Sequence, residues 1–465
     1  MKKFQRILIL IPFSFIIIYF IYYSTSEPTR TIKINSKNEF LKKIIDLNQK
    51  LLNNLSNSNN LPKENKIYTN LKDIINLKFN QHNIFLIDLN LIKNLSNSTE
   101  FKPKWISFGI NFENFESFYR TISNEQFPQC DLTLSSGEYF ATNVLSALYI
   151  KCPFSTIQIS IFYTRKNFLW IPQDNYSNKN EKFFNDKPRA FNKFDLKQID
   201  YLDFKLKIPF DLDQFLYEYK NSVFLECDYE TAEQNSILYG SKNEQKKQKN
   251  ELALKKLKNV KSILEGFRKD YWLAEGSLLG WYRDCGIIPH THDTDLGMFI
   301  EDFEPKVKEK FRGDKITPLI AQFGNLNDSY ELRVGSNDFW VDIFYFHEHN
   351  STHFYCGYQL GRTKHRTILT KFDKICSVEL LNEKFQVPCE AVRYIHEEYD
   401  KDDWKVPRSN YKGWPNVFKW GQWSEQEYPY VIKFYGNDGK FLKAQTLNYV
   451  NNLLSKKLKS LPVDD

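Results

Sequence analysis

Asp293 and Asp295 stand one residue apart in a stretch that is apolar on both sides, with Ile287 and Ile288 before them and Leu296, Met298, Phe299 and Ile300 after. In a strand, alternate side chains share a face, so both carboxylates point one way and Thr294 and Leu296 the other. At ~5 Å and an effective dielectric of ~20, two carboxylates repel by roughly 3 kcal/mol. A divalent cation, Mg2+ or Mn2+, removes that repulsion. An isolated Asp-x-Asp is more often a solvated turn, but apolar flanks make an uncompensated charge expensive here.

Eighteen residues upstream of Asp295, Gly276-Ser277 separates a short apolar run, Tyr271 to Ala274, from a helix-compatible segment, Leu278 to Arg283. Strand, Gly-Ser, helix is an arrangement that holds phosphate. Glycine lets the backbone approach, and the serine hydroxyl and free helix amides meet anionic oxygens. Gly276 and Ser277 are therefore candidate donor-binding residues, with Arg283 as the cation at the end of the same segment. The competing reading of Ser277 is a helix N-cap. A third acid, Asp342, interrupts the β-rich run Phe339 to Phe346 beyond a turn over 335–338. It is a candidate third metal ligand or general base. A salt bridge to Arg333 is the alternative.

These residues need an α/β (α+β) unit to position them, and the chain of 465 residues, 42% hydrophobic, is long enough for two or three domains. Residues 1–6 carry Lys2, Lys3 and Arg6 and precede an apolar segment over 7–23. The expectation is a cytosolic tail, a transmembrane signal anchor and a lumenal remainder. Residues 24–100, rich in Asn, Leu, Ile and Lys, read as a stem with a helix near Glu39 to Leu55. Aromatics rise after Phe101, and Trp105 to Phe118, Tyr139 to Cys152, Ser155 to Thr164 and Phe168 to Ile171 read as strands of a β-rich middle domain over 101–240. The catalytic domain is expected over 241–465, closed by a helix over 442–458.

The net charge of +7 is modest and dispersed. The densest basic run, over 246–258, carries Ala253, Leu257, Val260, Leu264 and Phe267 at helical spacing, so it reads as an amphipathic helix rather than a nucleic-acid site. Trp404 and Lys412 lie in a tryptophan-rich stretch that reads mainly as core, with base stacking as the minor alternative. His290 and His292 read as donors beside the acids. The seven cysteines contain no Cys-x-x-Cys pair, which disfavours zinc, and in an oxidising compartment they can form disulfides, leaving at least one free or intermolecular. Six Asn-x-Ser/Thr sequons begin at Asn54, Asn94, Asn97, Asn175, Asn327 and Asn350.

Glu275-Gly-Ser-Leu-Leu-Gly-Trp-Tyr-Arg283, Ile287-Ile-Pro-His290, His292-Asp-Thr-Asp-Leu-Gly297 and Val341-Asp-Ile-Phe344 together resemble the signature segments of the LicD/fukutin group of phosphotransferases. The resemblance covers roughly Trp272 to Trp423. His290 and Thr291 stand where bacterial members carry Trp-Asp, which points to the animal, fukutin-like branch. The resemblance implies a nucleotidyltransferase-like core of the DNA polymerase β type. It also implies transfer of ribitol 5-phosphate from CDP-ribitol to the O-mannosyl glycan of a dystroglycan-like glycoprotein. A Golgi membrane setting, single-pass type II, and complexes with other Golgi glycosyltransferases follow from it. The alternatives are a phosphocholine or glycerol-phosphate transferase, and a non-catalytic lumenal scaffold.

Overall fold

The computed structural model describes residues 39–57, 75–95, 104–123, 130–140, 142–176, 184–202, 204–239, 244–336, 338–355, 363–399, 402–408, 417–436 and 440–442. The expected anchor over 7–23, Lys412 and the expected closing helix beyond residue 442 lie outside these. Among the described residues no helix is long and apolar enough to cross a membrane.

The first sheet is built from β1 (Phe85–Leu86), β2 (Trp105–Asn111), β3 (Asp131–Tyr139), β4 (Thr142–Cys152), β5 (Ser155–Arg165), β6 (Phe168–Ile171), β7 (Arg189–Asn192), β8 (Leu196–Tyr201) and β9 (Phe204–Pro209). Its main path runs β3-β4-β5-β2-β1-β9-β8, with β6 and β7 branching from β5. The unit is less purely β than expected. After Asn111 the chain turns into the helix Phe112–Ser123, whose Phe115, Phe118 and Ile122 recur at helical spacing and are buried. Two pieces of the expected stem belong to this unit as well. The helix Glu39–Asn57 buries Phe40, Ile44 and Leu51, and Asn48 Oδ1 accepts a hydrogen bond from the Leu145 amide at 2.9 Å. β1 lies between β2 and β9.

The second part of the chain adds β10 (Phe224–Leu225), β11 (Trp272–Leu273), β12 (Asp293–Phe299), β13 (Leu319–Asn325), β14 (Asp328–Ser336), β15 (Phe339–His349), β16 (Thr352–Tyr355), β17 (Thr363–Thr370), β18 (Ile375–Leu380), β19 (Glu383–Pro388), β20 (Val417–Gln422), β21 (Ile432–Tyr435) and β22 (Phe441–Leu442). The large sheet runs β20-β17-β16-β15-β14-β13-β21-β22, with β12 parallel to β15 and β11 antiparallel to β12. The helix Glu244–Gly266 buries Ala253, Leu257, Val260 and Leu264 against this sheet, as the stripe predicts. Its lysines are not all outside. Lys256 reaches Ser336 and donates to the Phe339 carbonyl at 2.5 Å, and Lys261 donates to Asn192 Oδ1 at 2.9 Å. A long stem lets a lysine at the border of the stripe bury its methylenes and still place its ammonium on a carbonyl.

The two parts meet before residue 240. β10 pairs with β18, and the disulfide Cys227–Cys285 ties this junction to the second part. Arg165, 0% exposed, spans the contact: it donates to Glu226 at 2.6 and 2.9 Å, to Glu379 at 2.6 Å and to the hydroxyls of Tyr139 and Tyr229. Its guanidinium lies over Phe40 and Phe224 at 4.6 and 4.7 Å. Two further disulfides join Cys130 to Cys152 and Cys376 to Cys389. The last leaves neither Cys376 nor Cys389 available as a zinc ligand.

Candidate active site

The parallel pairing of β12 with β15 places Asp295 directly beside Asp342, and the antiparallel pairing of β14 with β15 places Arg333 on the other side of Asp342. Asp295, Asp342 and Arg333 thus form one row across three strands, with Asp293 two residues before Asp295 on the same face. Carboxylate oxygens of Asp293, Asp295 and Asp342 lie within 4.8 Å of one another. Asp295 is 9% and Asp342 3% exposed, so water screens them little.

The salt bridge from Asp342 to Arg333 forms, and the same carboxylate still converges on Asp293 and Asp295. Arg333 donates to its two oxygens at 2.7 and 2.8 Å, and the Trp340 indole donates at 3.1 Å. Burial still raises the Asp342 carboxyl above its ordinary value, with Arg333 opposing and Asp293 adding to the rise. Asp295 is pushed well above its ordinary value by burial, then by Asp293 and Glu275. One arginine does not offset three close acids. Three convergent oxygen donors that repel one another are the donor set a hard divalent cation requires.

Gly276 and Ser277 open the helix Glu275–Asp284, which begins where β11 ends. A Cβ at Gly276 would make ordinary contact, 3.7 Å from Asp295 Oδ2, so the start of this helix lies directly against the acids. The N-cap is Ala274, without a side-chain bond, so Ser277 is not the cap. Its hydroxyl instead accepts the Asp295 amide at 2.7 Å and so fixes the strand that carries both acids. Ser277→Ala is expected to leave that buried amide unsatisfied, at a cost of about 1–3 kcal/mol. Thermal unfolding and steady-state rates check this: turnover falls with the donor and acceptor constants moving together, whereas a selective rise in the donor constant would make Ser277 a phosphate contact.

Arg283 does not join the cluster. It is 4% exposed and its guanidinium is occupied by Asp284 at 2.8 Å and the Trp404 carbonyl at 3.0 Å. The expectation that it binds the donor is therefore withdrawn: a buried fork already bonded to a carboxylate has little left for a phosphate. Trp404 is buried and packs on Tyr282, as a core residue does. His290 and His292 are exposed on the loop before β12.

Sequence reasoning passed over three acids. Glu275, the first residue of the helix, has φ +44°, a left-handed conformation that a glutamate adopts only under constraint. Burial, with Asp342 and Asp293 nearby, pushes its carboxyl up to about 7, against the lowering effect of a hydrogen bond with Tyr355. Tyr355 in turn bonds Glu398 at 2.5 Å, and burial, then Glu275, holds Glu398 well above the ordinary range. Glu331 pairs with Phe344 across β14 and β15 and is pushed up by burial and Asp342. An isolated acid in an apolar strand, as at Glu331, was the available signal.

Residues 268–390 match the family model described as LicD/FKTN/FKRP, nucleotidyltransferase domain. The chain is 32% identical over 355 residues to the mouse protein named Ribitol-5-phosphate transferase FKTN, covering 70% of this chain and 74% of that protein. Against the human protein of the same name it is 31% identical over 354 residues, with the same coverage. The human Ribitol 5-phosphate transferase FKRP shares 33% identity over 98 residues, 20% of this chain and 19% of that protein.

Proposed function

Because the chain belongs to the LicD/FKTN/FKRP family, we propose that it is a metal-dependent phosphotransferase that moves ribitol 5-phosphate from CDP-ribitol to a hydroxyl of an O-mannosyl glycan. The observation that carries the metal is the convergence of Asp293, Asp295 and Asp342 within 4.8 Å. Mg2+ or Mn2+ held there would supply charge neutralisation at the donor diphosphate. The chain's own groups do the rest. The amides of Glu275 and Gly276, without a partner among the described residues at this helix N-terminus, bind anionic oxygens beside Asp295. Arg333 locks the Asp342 carboxylate in one orientation. Strand, helix and acids on adjacent strands suit a nucleotidyltransferase core of the DNA polymerase β type.

The non-catalytic scaffold is the weaker reading, since a scaffold has no use for three repelling acids converging at one site. The deciding experiment incubates the purified lumenal part with an O-mannosyl glycopeptide and CDP-ribitol, CDP-glycerol or CDP-choline in parallel. Product from CDP-ribitol alone, abolished by EDTA and restored by Mn2+, is the expected result. Transfer from CDP-choline or CDP-glycerol instead would replace the donor, and activity surviving EDTA would remove the cation.

We further propose a Golgi-lumenal, type II setting, with a dystroglycan-like acceptor and association with other Golgi glycosyltransferases. The three disulfides support an oxidising compartment. Of the sequon asparagines, Asn94, Asn175, Asn327 and Asn350 are exposed. Peptide N-glycosidase is expected to increase the gel mobility of the protein made in animal cells. Unchanged mobility would place the chain outside the secretory pathway.

A further inference from the structure

We propose that Lys249 is the cation that binds the phosphates of the donor, a role resting on the phosphotransferase reading above. A donor diphosphate brings its negative charge to a metal ion that already faces three carboxylates, so a protein cation has to meet part of that charge. The nearby arginines are occupied. Arg333 holds both oxygens of Asp342 at 2.7 and 2.8 Å, and Arg283 is bonded to Asp284 and to the Trp404 carbonyl. Lys256 is spent on Ser336 and on the Phe339 carbonyl at 2.5 Å. Lys249, partly buried, makes no hydrogen bond and no ion pair among the described residues.

The helix Glu244–Gly266 directs Lys249 to the acids. Its C-terminal end lies beside Tyr271, whose hydroxyl donates to Glu265 at 3.2 Å, and from there β11 runs toward the site, where the Ala274 amide donates to the Asp295 carbonyl at 3.0 Å. Further back along the helix, the Lys256 ammonium sits at Phe339, the first residue of β15. Its neighbour Trp340 pairs with Asp293, so Lys256 marks the end of the sheet at which the acids stand. Lys249 precedes Lys256 by seven residues, which is nearly two full turns and ~10 Å along the axis. The two lysines therefore share a helix face. Ala253, Lys256 and Val260 on that face are all buried against the sheet. Lys249 continues their stripe beyond the strand ends, where the loop carrying His290 and His292 leads into Asp293. Its charge acts there on both Asp293 and His290. Partial burial lowers the ammonium from its ordinary 10.5, with Asp293 opposing. A cation drawn partly out of water, without a partner and beside the amides of Glu275 and Gly276, is suited to an anionic oxygen. As a mere counter-ion to the acids, Lys249 would act on the metal-free fold and leave ligand affinity untouched.

Lys249→Met in the full chain tests this, with CDP and cytidine as probes at saturating Mn2+ and binding read by calorimetry. Loss of a hydrogen bond to a charged group corresponds to about tenfold or more in affinity. CDP should bind the variant weaker by that factor, while cytidine, which has no phosphate, binds variant and parent within about twofold of each other. The Michaelis constant for CDP-ribitol should rise with the CDP constant, the acceptor constant should stay, and the Mn2+ concentration giving half-maximal thermal stabilisation should not increase. CDP affinity within twofold of the parent, equal losses for CDP and cytidine, or a loss of Mn2+ affinity overturns the assignment. If the parent transfers nothing from CDP-ribitol, the ribitol reading fails by itself, and CDP against cytidine still decides Lys249, since neither probe carries the alcohol. A parent that does not bind CDP overturns both.

Discussion

Asp295→Asn is expected to abolish transfer and, in metal-free buffer, to melt at a higher temperature than the parent. The two effects have one cause. Asp295 lies within 4.8 Å of two other carboxylates, and each ionised pair at such a distance costs about 3 kcal/mol at an effective dielectric of ~20. Asparagine keeps the shape and removes that cost, so a gain of roughly 1–3 kcal/mol is expected without metal. The parent recovers the difference when Mn2+ binds, and the variant does not. Differential scanning calorimetry with and without Mn2+, beside a transfer assay, reads both. A variant that is less stable than the parent without metal, or that still gains stability from Mn2+, would show that the acids serve the fold and not a cation.

The same crowding sets a pH dependence. In the metal-free protein Glu275 titrates at about 7 against an ordinary 4.5. Between those values the folded chain holds a proton that the unfolded chain has released, so stability falls as pH rises through this window. Asp295, raised for the same reasons, contributes with the same sign. Unfolding at pH 5 should therefore require more heat than at pH 7.5 without metal, and saturating Mn2+ should shrink the difference.

Arg165→Met is expected to cost about 3–5 kcal/mol of stability. The methionine fills much of the volume but leaves Glu226 and Glu379, both only partly exposed, without their cation. Because Glu379 is on β18 and Arg165 on β5, the damage falls on the contact between the two parts of the chain. Urea unfolding should lose its single transition and show the parts melting separately. Arg165→Lys, which restores the charge but not the fork, should recover less than half of the loss. A methionine variant within 1 kcal/mol of the parent, on the scale of an exposed pair, would make Arg165 a bystander.

Much of the candidate site is legible along the chain, because it depends on local rules. Alternation puts Asp293 and Asp295 on one face, and a lone charge in Phe339–Phe346 marks Asp342 as requiring a partner. What joins them is a parallel pairing across more than forty residues, and no local pattern specifies that Asp295 faces Asp342 rather than its neighbour. Glu275 escaped notice because an acid in the first turn of a helix is an ordinary complement to the helix dipole. The bond made by Ser277 was hidden for a similar reason: a serine after a strand reads as a cap or a phosphate contact, and only the position of β12 shows which amide its oxygen meets. Lys256 and Lys261 look like solvent positions until a strand end and Asn192 close over them. In the segment before residue 100, low aromatic content concealed Phe40, Ile44 and Phe85, each of which buries its side chain in the first sheet's core.

The disulfide between Cys227 and Cys285 bears on how the protein must be produced. Cys285 ends the helix that begins with Glu275 and Gly276, so the bond anchors the far end of the segment that lines the acids. Closing a separation of 58 residues removes unfolded-chain freedom worth about 4 kcal/mol. Chains made in a reducing bacterial cytosol would lack this restraint and the two other bridges. Material recovered from such a host should be judged by thiol titration before its inactivity is blamed on the missing donor or acceptor. Expression into a eukaryotic secretory route, or into an oxidising periplasm with an isomerase, is the condition under which a negative activity assay carries meaning.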